Sequence, residues 1–337
     1  MTTLKDRITP FIAFAQRHPW LIATFGFCSG LASFLLVKRQ AELAQVLAVV
    51  MLLSWLWLAL ENLLRDQISK RFGFELPKPV LRYATQMIHQ ESLFFVLPFF
   101  LITTTWNSGQ ALFSGMLIAA ALVSIIDPLY YKHLAARRWV YLMYHSLTLF
   151  ALTLTALPII FKLTTTQSYQ LALAIAALLS FPSLLGIITV QRWWRSLLLI
   201  AATLVLAGAG WMARIWVPPA TLWMTEVAVS TELNSKEREP GKRIKQLSVA
   251  ELGAQGLYAY TAINAPRGLN ERIYHVWRLN GKEVERIALD IKGGRKQGYR
   301  AWSHKRNYPK DSTGRWQIQV LTEGGQMIGV LRFKVTP

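Results

Sequence analysis

The sequence predicts an α-helical polytopic membrane bundle of seven transmembrane helices, followed by a small all-β, immunoglobulin-like antiparallel sandwich. Three observations lead there. Apolar runs of bilayer length recur through residues 1–217. Charge is sparse in that stretch and dense after it: of 55 Asp, Glu, Lys and Arg residues, 24 lie in 1–217 and 31 in 218–337. Residues 218–337 then alternate with period two between turn residues. The domain boundary is therefore expected at 217/218.

The seven runs are 20–37, 41–62, 92–106, 110–131, 139–161, 168–190 and 196–217. A helix needs roughly 20 residues to cross the hydrocarbon. The run at 92–106 is short, but Pro79 can open its helix and VLRYATQMIHQES can carry it in from the interface. Pro98, Pro158 and Pro182 fall within runs, where neighbouring helices can re-satisfy the backbone. Lys5, Arg7 and Arg17 precede the first run as in a signal peptide, yet no small-x-small site follows, so it is read as an uncleaved span. Trp106-Asn107 and Arg192-Trp193-Trp194-Arg195 read as interface anchors.

Loop cations set the expected orientation. One side collects Lys5, Arg7, Arg17, Arg65, Lys70, Arg71, Lys78, Arg82, Lys132, Arg137, Arg138, Arg192 and Arg195; the other has Lys38, Arg39, Lys162 and Arg214. The N-terminus is then cytoplasmic, and seven crossings put residues 218–337 outside. In a Gram-negative bacterium the protein would sit in the inner membrane with a periplasmic C-terminal part. Six crossings would instead leave that part in the cytoplasm. The net charge of +19 is spread over both parts (17 Lys/Arg against 7 Asp/Glu, then 20 against 11). An external tail excludes nucleic acid as a partner. The single cysteine, Cys28, forbids a disulfide within the chain and is expected to be a buried, inert thiol.

Five ionisable residues fall near the cytoplasmic ends of the runs: Glu61, His89, Glu91, Asp127 and His145. Gln86, His89 and Gln90 share a helical face, as do Tyr141, His145, Thr148 and Thr155. Two readings are open. The cluster is a proton, ion or metal site, or it is interhelical hydrogen bonding plus groups reaching the surface. No His-Glu-x-x-His or comparable ligand spacing is present, so no metal is expected. Asp127-Pro128 reads as a helix end.

In the C-terminal part, Val227, Val229 and Thr231 share one parity, and Ile273, His275, Trp277 and Leu279 another. Asn280-Gly281 is a strong hairpin signal. Glu285, Ile287, Leu289 and Ile291 share a face; so do Trp316, Ile318 and Val320. Gly324-Gly325 turns the chain into Leu331, Phe333 and Val335. About seven antiparallel strands follow from this pattern. Gly293-Gly294 lies between strands, not between a strand and a helix, so it is no nucleotide loop. No catalytic triad or cofactor is expected.

The stretch RAWSHKRNYPKDSTGRW at 300–316 admits two readings. In one, Trp302 and Trp316 are core and the cations line a wet hairpin tip. In the other, His275, Trp302, Ser303, His304, Lys305 and Arg306 form an aromatic and basic groove for a glycan, an anionic lipid or a protein.

EREP at 237–240, IYHVWRLNGKEV at 273–284, YRAWSHK at 299–305, GRWQIQV at 314–320 and GQMIGVLRFKV at 325–335 resemble the pattern of domain-of-unknown-function family 2914. RHPWL, GLASFLL and MLLSWLWLALENLL resemble its companion proteobacterial multi-span membrane family of unknown function. The resemblance implies a domain layout and an envelope location, not an activity. GGRKQG before Tyr299 departs from the pattern as an insertion. Two functions are therefore carried forward. The first is a non-enzymatic inner-membrane protein presenting an extracytoplasmic binding or assembly module. The second is a transporter or membrane-embedded enzyme using the His/Asp/Glu cluster.

Overall fold

The computed structural model describes Cys28 and residues 41–72, 78–187, 193–234, 236–295 and 297–337. Helices come first: α1 Ala41–Phe72, α2 Lys78–Thr103, α3 Gln110–Ile125, a π-helical turn Leu129–Leu134, α4 Arg138–Phe161, α5 Thr165–Ile187 and α6 Trp193–Met212. From Trp223 the chain is β-rich, with one short helix, α7, at Val249–Gln255. Cys28 is exposed, contrary to the buried thiol expected.

The expectation of seven transmembrane helices is corrected. Among the described residues one helix, α4, is long and apolar enough to cross a membrane. The physical reason is that an apolar run does not distinguish lipid contact from protein contact. Two thirds of the apolar window of α4 is itself buried in the protein (67%). α3 has 16 residues, short of the roughly 20 a span requires. α2 buries Gln86, His89, Gln90 and Ser92 in its middle. Apart from Cys28 the run at 20–37 lies outside the described residues, as do residues 188–190 of the run at 168–190.

Two compact units result. One holds the described residues up to Pro98 with Gly115–Ala156 and Leu171–Ala209. Within α4, Thr148, Thr153 and Thr155 are buried and donate to the carbonyls of Tyr144, Leu149 and Ala151 at 2.9, 2.8 and 2.9 Å. Their hydroxyls are thus satisfied inside the helix that carries them.

The other unit holds Phe99–Ser114, Leu157–Gln170 and Gly210–Pro337. Its strands are β1 Trp223–Ser230, β2 Leu233–Asn234, β3 Glu239–Pro240, β4 Gln246–Ser248, β5 Leu257–Asn264, β6 Asn270–Leu279, β7 Lys282–Lys292, β8 Tyr299–Lys305, β9 Gly314–Thr322 and β10 Met327–Thr336. A three-stranded sheet has the order β1-β5-β8 and a five-stranded sheet the order β4-β10-β9-β6-β7; β2 and β3 form a separate ribbon. The expected all-antiparallel pairing is corrected at one edge, where β4 runs parallel to β10. The period-two faces meet between the sheets. Val229, Ala259 and Ala301 come from one sheet; Ile273, Trp277, Trp316, Ile318, Val320, Leu331, Phe333 and Val335 come from the other.

The Asn-Gly hairpin forms as its residues require. Asn280 and Gly281 have φ of 49° and 86° and link Leu279 to Lys282 in register. Trp316 stacks on Phe333 with centroids 5.8 Å apart, and its indole N–H donates to the Ser312 carbonyl at 2.9 Å. Trp302 instead lies on the outer face of the three-stranded sheet, against Tyr260, Ala228, Ala262 and Leu233. Of the two tryptophans in the 300–316 stretch, one is therefore core and one is not. Trp316→Ala should cost about 3–5 kcal/mol of stability. Trp302→Ala should cost about 1–2 kcal/mol, since only part of its surface leaves water. Denaturant unfolding followed by near-ultraviolet circular dichroism measures both.

Candidate functional site

In the helical unit, α2 and α4 bring two of the five expected polar residues together. The His89 Nε2 and His145 Nδ1 atoms are 3.0 Å apart, and His89 Nδ1 is 2.7 Å from the Tyr130 hydroxyl. His89 is fully buried. A neutral imidazole has one donor and one acceptor nitrogen, so the chain Tyr130–His89–His145 can run in either of two directions, related by moving protons along it. Aromatic rings enclose it. Tyr144 stands edge-on to His89 at 5.2 Å, and Trp55 lies 4.6 Å from His145. Trp55 is held there by its indole N–H, which donates to Ser92 Oγ at 2.9 Å.

The other members lie apart from this pair. Asp127 accepts from Gln86 Nε2 at 2.8 Å, one turn before His89 on α2. Glu91, two residues past His89, falls on a different face of α2. The side chain of Glu61 lies outside the described residues. Among the described residues no three His, Cys, Asp or Glu gather as metal ligands. Sequence reasoning missed Tyr130 and Trp55. Tyr130 is buried at the start of the π-helical turn that follows Pro128, and no apolar periodicity signals that.

In the β unit, the strand alternation of β8 divides the expected groove in two. Ala301, Ser303 and Lys305 face inward; Arg300, Trp302 and His304 face outward. His275 is wholly buried between the sheets. Its Nδ1 lies 3.0 Å from Ser303 Oγ and its Nε2 lies 3.1 Å from Thr261 Oγ1. The Trp277 indole N–H also reaches Ser303 Oγ (3.3 Å), and the Thr261 hydroxyl reaches the Ala301 carbonyl (3.3 Å). One arrangement satisfies every donor. Trp277 donates to Ser303, Ser303 to His275 Nδ1, His275 Nε2–H to Thr261, and Thr261 to the Ala301 carbonyl. His275 and Ser303 are thereby committed to the core. Lys305 is also buried and pairs with Glu285.

The outward residues reach solvent beside α7. Ser248 and Glu251 open α7 with a capping box: Glu251 Oε2 accepts from the Ser248 N–H at 2.8 Å and Ser248 Oγ from the Glu251 N–H at 3.3 Å. Gly256 closes it at φ 71°, where a Cβ would stand 2.5 Å from the Lys305 carbonyl oxygen. Only glycine permits that approach. It sets the Gln255 carbonyl 3.2 Å from His304 Nε2, which donates to it. The His304 ring stacks on Tyr258 at 3.9 Å with planes 8° apart. A groove of about 560 Å³ opens here, lined by Thr231, Glu232, Gln255, Tyr258, His304 and Arg306 among others. It offers a guanidinium, a carboxylate, a hydroxyl, an amide and a ring pair within one concavity. Of the six expected site residues, His304 and Arg306 line it.

A buried carboxylate also escaped sequence reasoning. Glu271 shares a β6 face with Ile273, His275 and Trp277, and it accepts from the Thr165 N–H at the start of α5 at 2.7 Å. Burial chiefly, helped by Glu323, pushes its carboxyl up to about 7 against the pull of that N–H. Burial lowers His275 to about 3. The two act with opposite sign on stability. The Glu271 contribution is complete below its ordinary value of 4.5 and is lost as pH rises through about 7. The His275 contribution is complete above 6.5 and is lost as pH falls toward 3. Stability should therefore be level between about pH 4.5 and 6.5 and fall on either side. The level stretch arises because the two slopes cancel there; in Glu271→Gln the Glu271 contribution, about 3 kcal/mol spread over pH 4.5–7, should vanish, so that stability rises from about pH 3 to 6.5 and is level above it. Denaturant unfolding across pH 3–8 reads the difference.

The model of DUF5924, a family of unknown function, matches residues 1–259. The model of DUF2914, a protein of unknown function, matches residues 270–335. No curated protein and no solved structure matches the chain.

Proposed function

From the premise that the chain belongs to the DUF5924 family and ends in a DUF2914 segment, we propose a membrane-bound protein that presents a β-sandwich binding module outside the cytoplasm. The groove beside α7 carries this reading. Its mixture of donors, acceptors and aromatic surface suits a polyhydroxylated ligand such as an envelope glycan better than an apolar one. No nucleophile–base pair in the groove argues for a reaction there.

The membrane part of the proposal rests on apolar exposure. On α6, Leu204, Val205, Leu206 and Met212 are 66–76% exposed, an arrangement that favours lipid over water. The sidedness rests on α4. Lys132 and Arg137 precede this helix, Arg138 opens it, and Lys162 is the one cation between it and α5. The excess of loop cations favours the cytoplasm at the start of α4. The far end leads to Thr165, which belongs to the same compact unit as the β-strands and bonds Glu271. On this reading the β unit lies outside, in the periplasm of a bacterial envelope.

An alkaline phosphatase fused after Pro337 should be active in cells, and a fluorescent protein that matures only in the cytosol should be dark there. The opposite pattern ends the external assignment. For the groove, His304→Ala and Arg306→Ala in the full chain should each weaken binding of soluble cell-wall glycan fragments at least ten-fold. Unfolding should stay cooperative, with a modest loss for His304→Ala from its stack on Tyr258 and little for Arg306→Ala, and His145→Ala should leave this binding intact. Loss with His145→Ala but not with His304→Ala would favour the helical cluster as the working site.

A further inference from the structure

The outer face of the five-stranded sheet carries cations that the fold leaves uncompensated. Register sets Lys334 on β10 directly opposite Arg315 on β9, and both are exposed. In the next row Arg332 faces Gln317, and Gln317 faces Arg278 on β6. Gln246 on β4 flanks Lys334 from the other side. Like charges placed directly across a sheet destabilise it. The carboxylates of this face, Glu283 and Asp290, both stand on β7, where they pair Arg278, Arg286 and Arg272. Among the described residues Arg315, Arg332 and Lys334 have no ion pair, and Arg278 Nε is buried without a hydrogen-bond partner. The positive charge is thus concentrated toward the β9–β10 side, at a cost to the folded state.

We propose that this face is a docking surface for an anionic polysaccharide lying across the strands. Guanidinium groups bind carboxylate, sulfate or phosphate through two parallel N–H donors. The glutamine amides between them both donate and accept, as sugar hydroxyls require. Arg332 and Arg278 stand two strand spacings apart, about 10 Å, which leaves room for rings between the anionic groups. An anionic bilayer surface fits less well. Peripheral lipid binding adds apolar side chains to the cations. Among the described residues of the β unit beyond Pro218, Val249 is the one large apolar side chain that is strongly exposed, and it sits on α7. The surface is separate from the groove and does not depend on it.

The test uses the full chain in phosphatidylcholine nanodiscs, with dextran sulfate as the probe and neutral dextran as its control. Dextran sulfate should bind and neutral dextran should not. The triple variant R315Q/R332Q/K334Q should bind dextran sulfate at least ten-fold more weakly, and its unfolding temperature should hold or rise as like-charge repulsion is relieved. The triple variant K236Q/R238Q/K242Q changes the net charge equally at the β2–β3 ribbon and the segment beside β1, and should lose less than two-fold. Equal loss in both triples would reduce the effect to net charge and overturn the proposal. So would equal binding of neutral dextran, or tighter binding of phosphatidylglycerol vesicles through the same three cations. His304→Ala should leave dextran sulfate binding unchanged, which separates this surface from the groove.

Discussion

The hydrogen-bonded path through His275 is the constraint on which the β unit turns. It starts at Trp277 on β6, passes through Ser303 on β8, returns to His275 on β6 and ends at Thr261 on β5. The two sheets are thus locked face to face by directional bonds as well as by apolar contact. A one-residue slip of β8 would leave His275 without its partner, and an unsatisfied buried polar group costs about 1–3 kcal/mol. The same register sends Trp302 and His304 outward. The groove exists because its neighbours in sequence are held in the core.

A second set of directional contacts ties the β unit to the helix ends that share its compact unit. Glu271 takes the Thr165 N–H, Gln110 Nε2 donates to the Met327 carbonyl at 2.9 Å, Arg214 Nε to the Gly324 carbonyl at 2.8 Å, and Gln326 Nε2 to the Val217 carbonyl at 2.9 Å. Three separate stretches of the helical sequence are gathered by polar groups with fixed geometry. Apolar packing alone would tolerate sliding; these bonds do not. Glu271 is the costly member of the set, since its carboxyl is buried with the backbone N–H and hydroxyl of Thr165 as donors and no cation.

The two outer faces of the sandwich are treated differently. The three-stranded sheet is covered by the β2–β3 ribbon, with Arg300 donating to the Glu237 carbonyl at 2.6 Å and meeting Glu239 at 3.2 Å. Arg300 is neutralised there and Trp302 packs against Tyr260, while Tyr258 and His304 line the groove. The five-stranded sheet is left open, with Arg315 and Lys334 opposed. Repulsion of that kind contributes nothing to folding, so a stability account alone does not explain it.

Residues 270–337 were legible because period-two burial is a local property. Ile273, His275, Trp277, Trp316, Ile318, Val320, Leu331, Phe333 and Val335 are buried as their parity implies, and Asn280-Gly281 turns as its backbone preference demands. The helical half was legible only as helix. Apolar runs at 92–106 and 110–131 look like spans in one dimension, yet burial against protein and burial in lipid select the same residues. Which of the two occurs is settled by long-range packing. The same holds for the sites. Sequence grouped His275, Ser303 and His304 in one groove, whereas β8 turns Ser303 inward to His275 and His304 outward. Only the tertiary structure could say that the first two spend their hydrogen-bonding capacity on each other and on Thr261, while the third, beside α7, still faces water. A side chain's remaining valence depends on partners far away along the chain, and no local pattern encodes them.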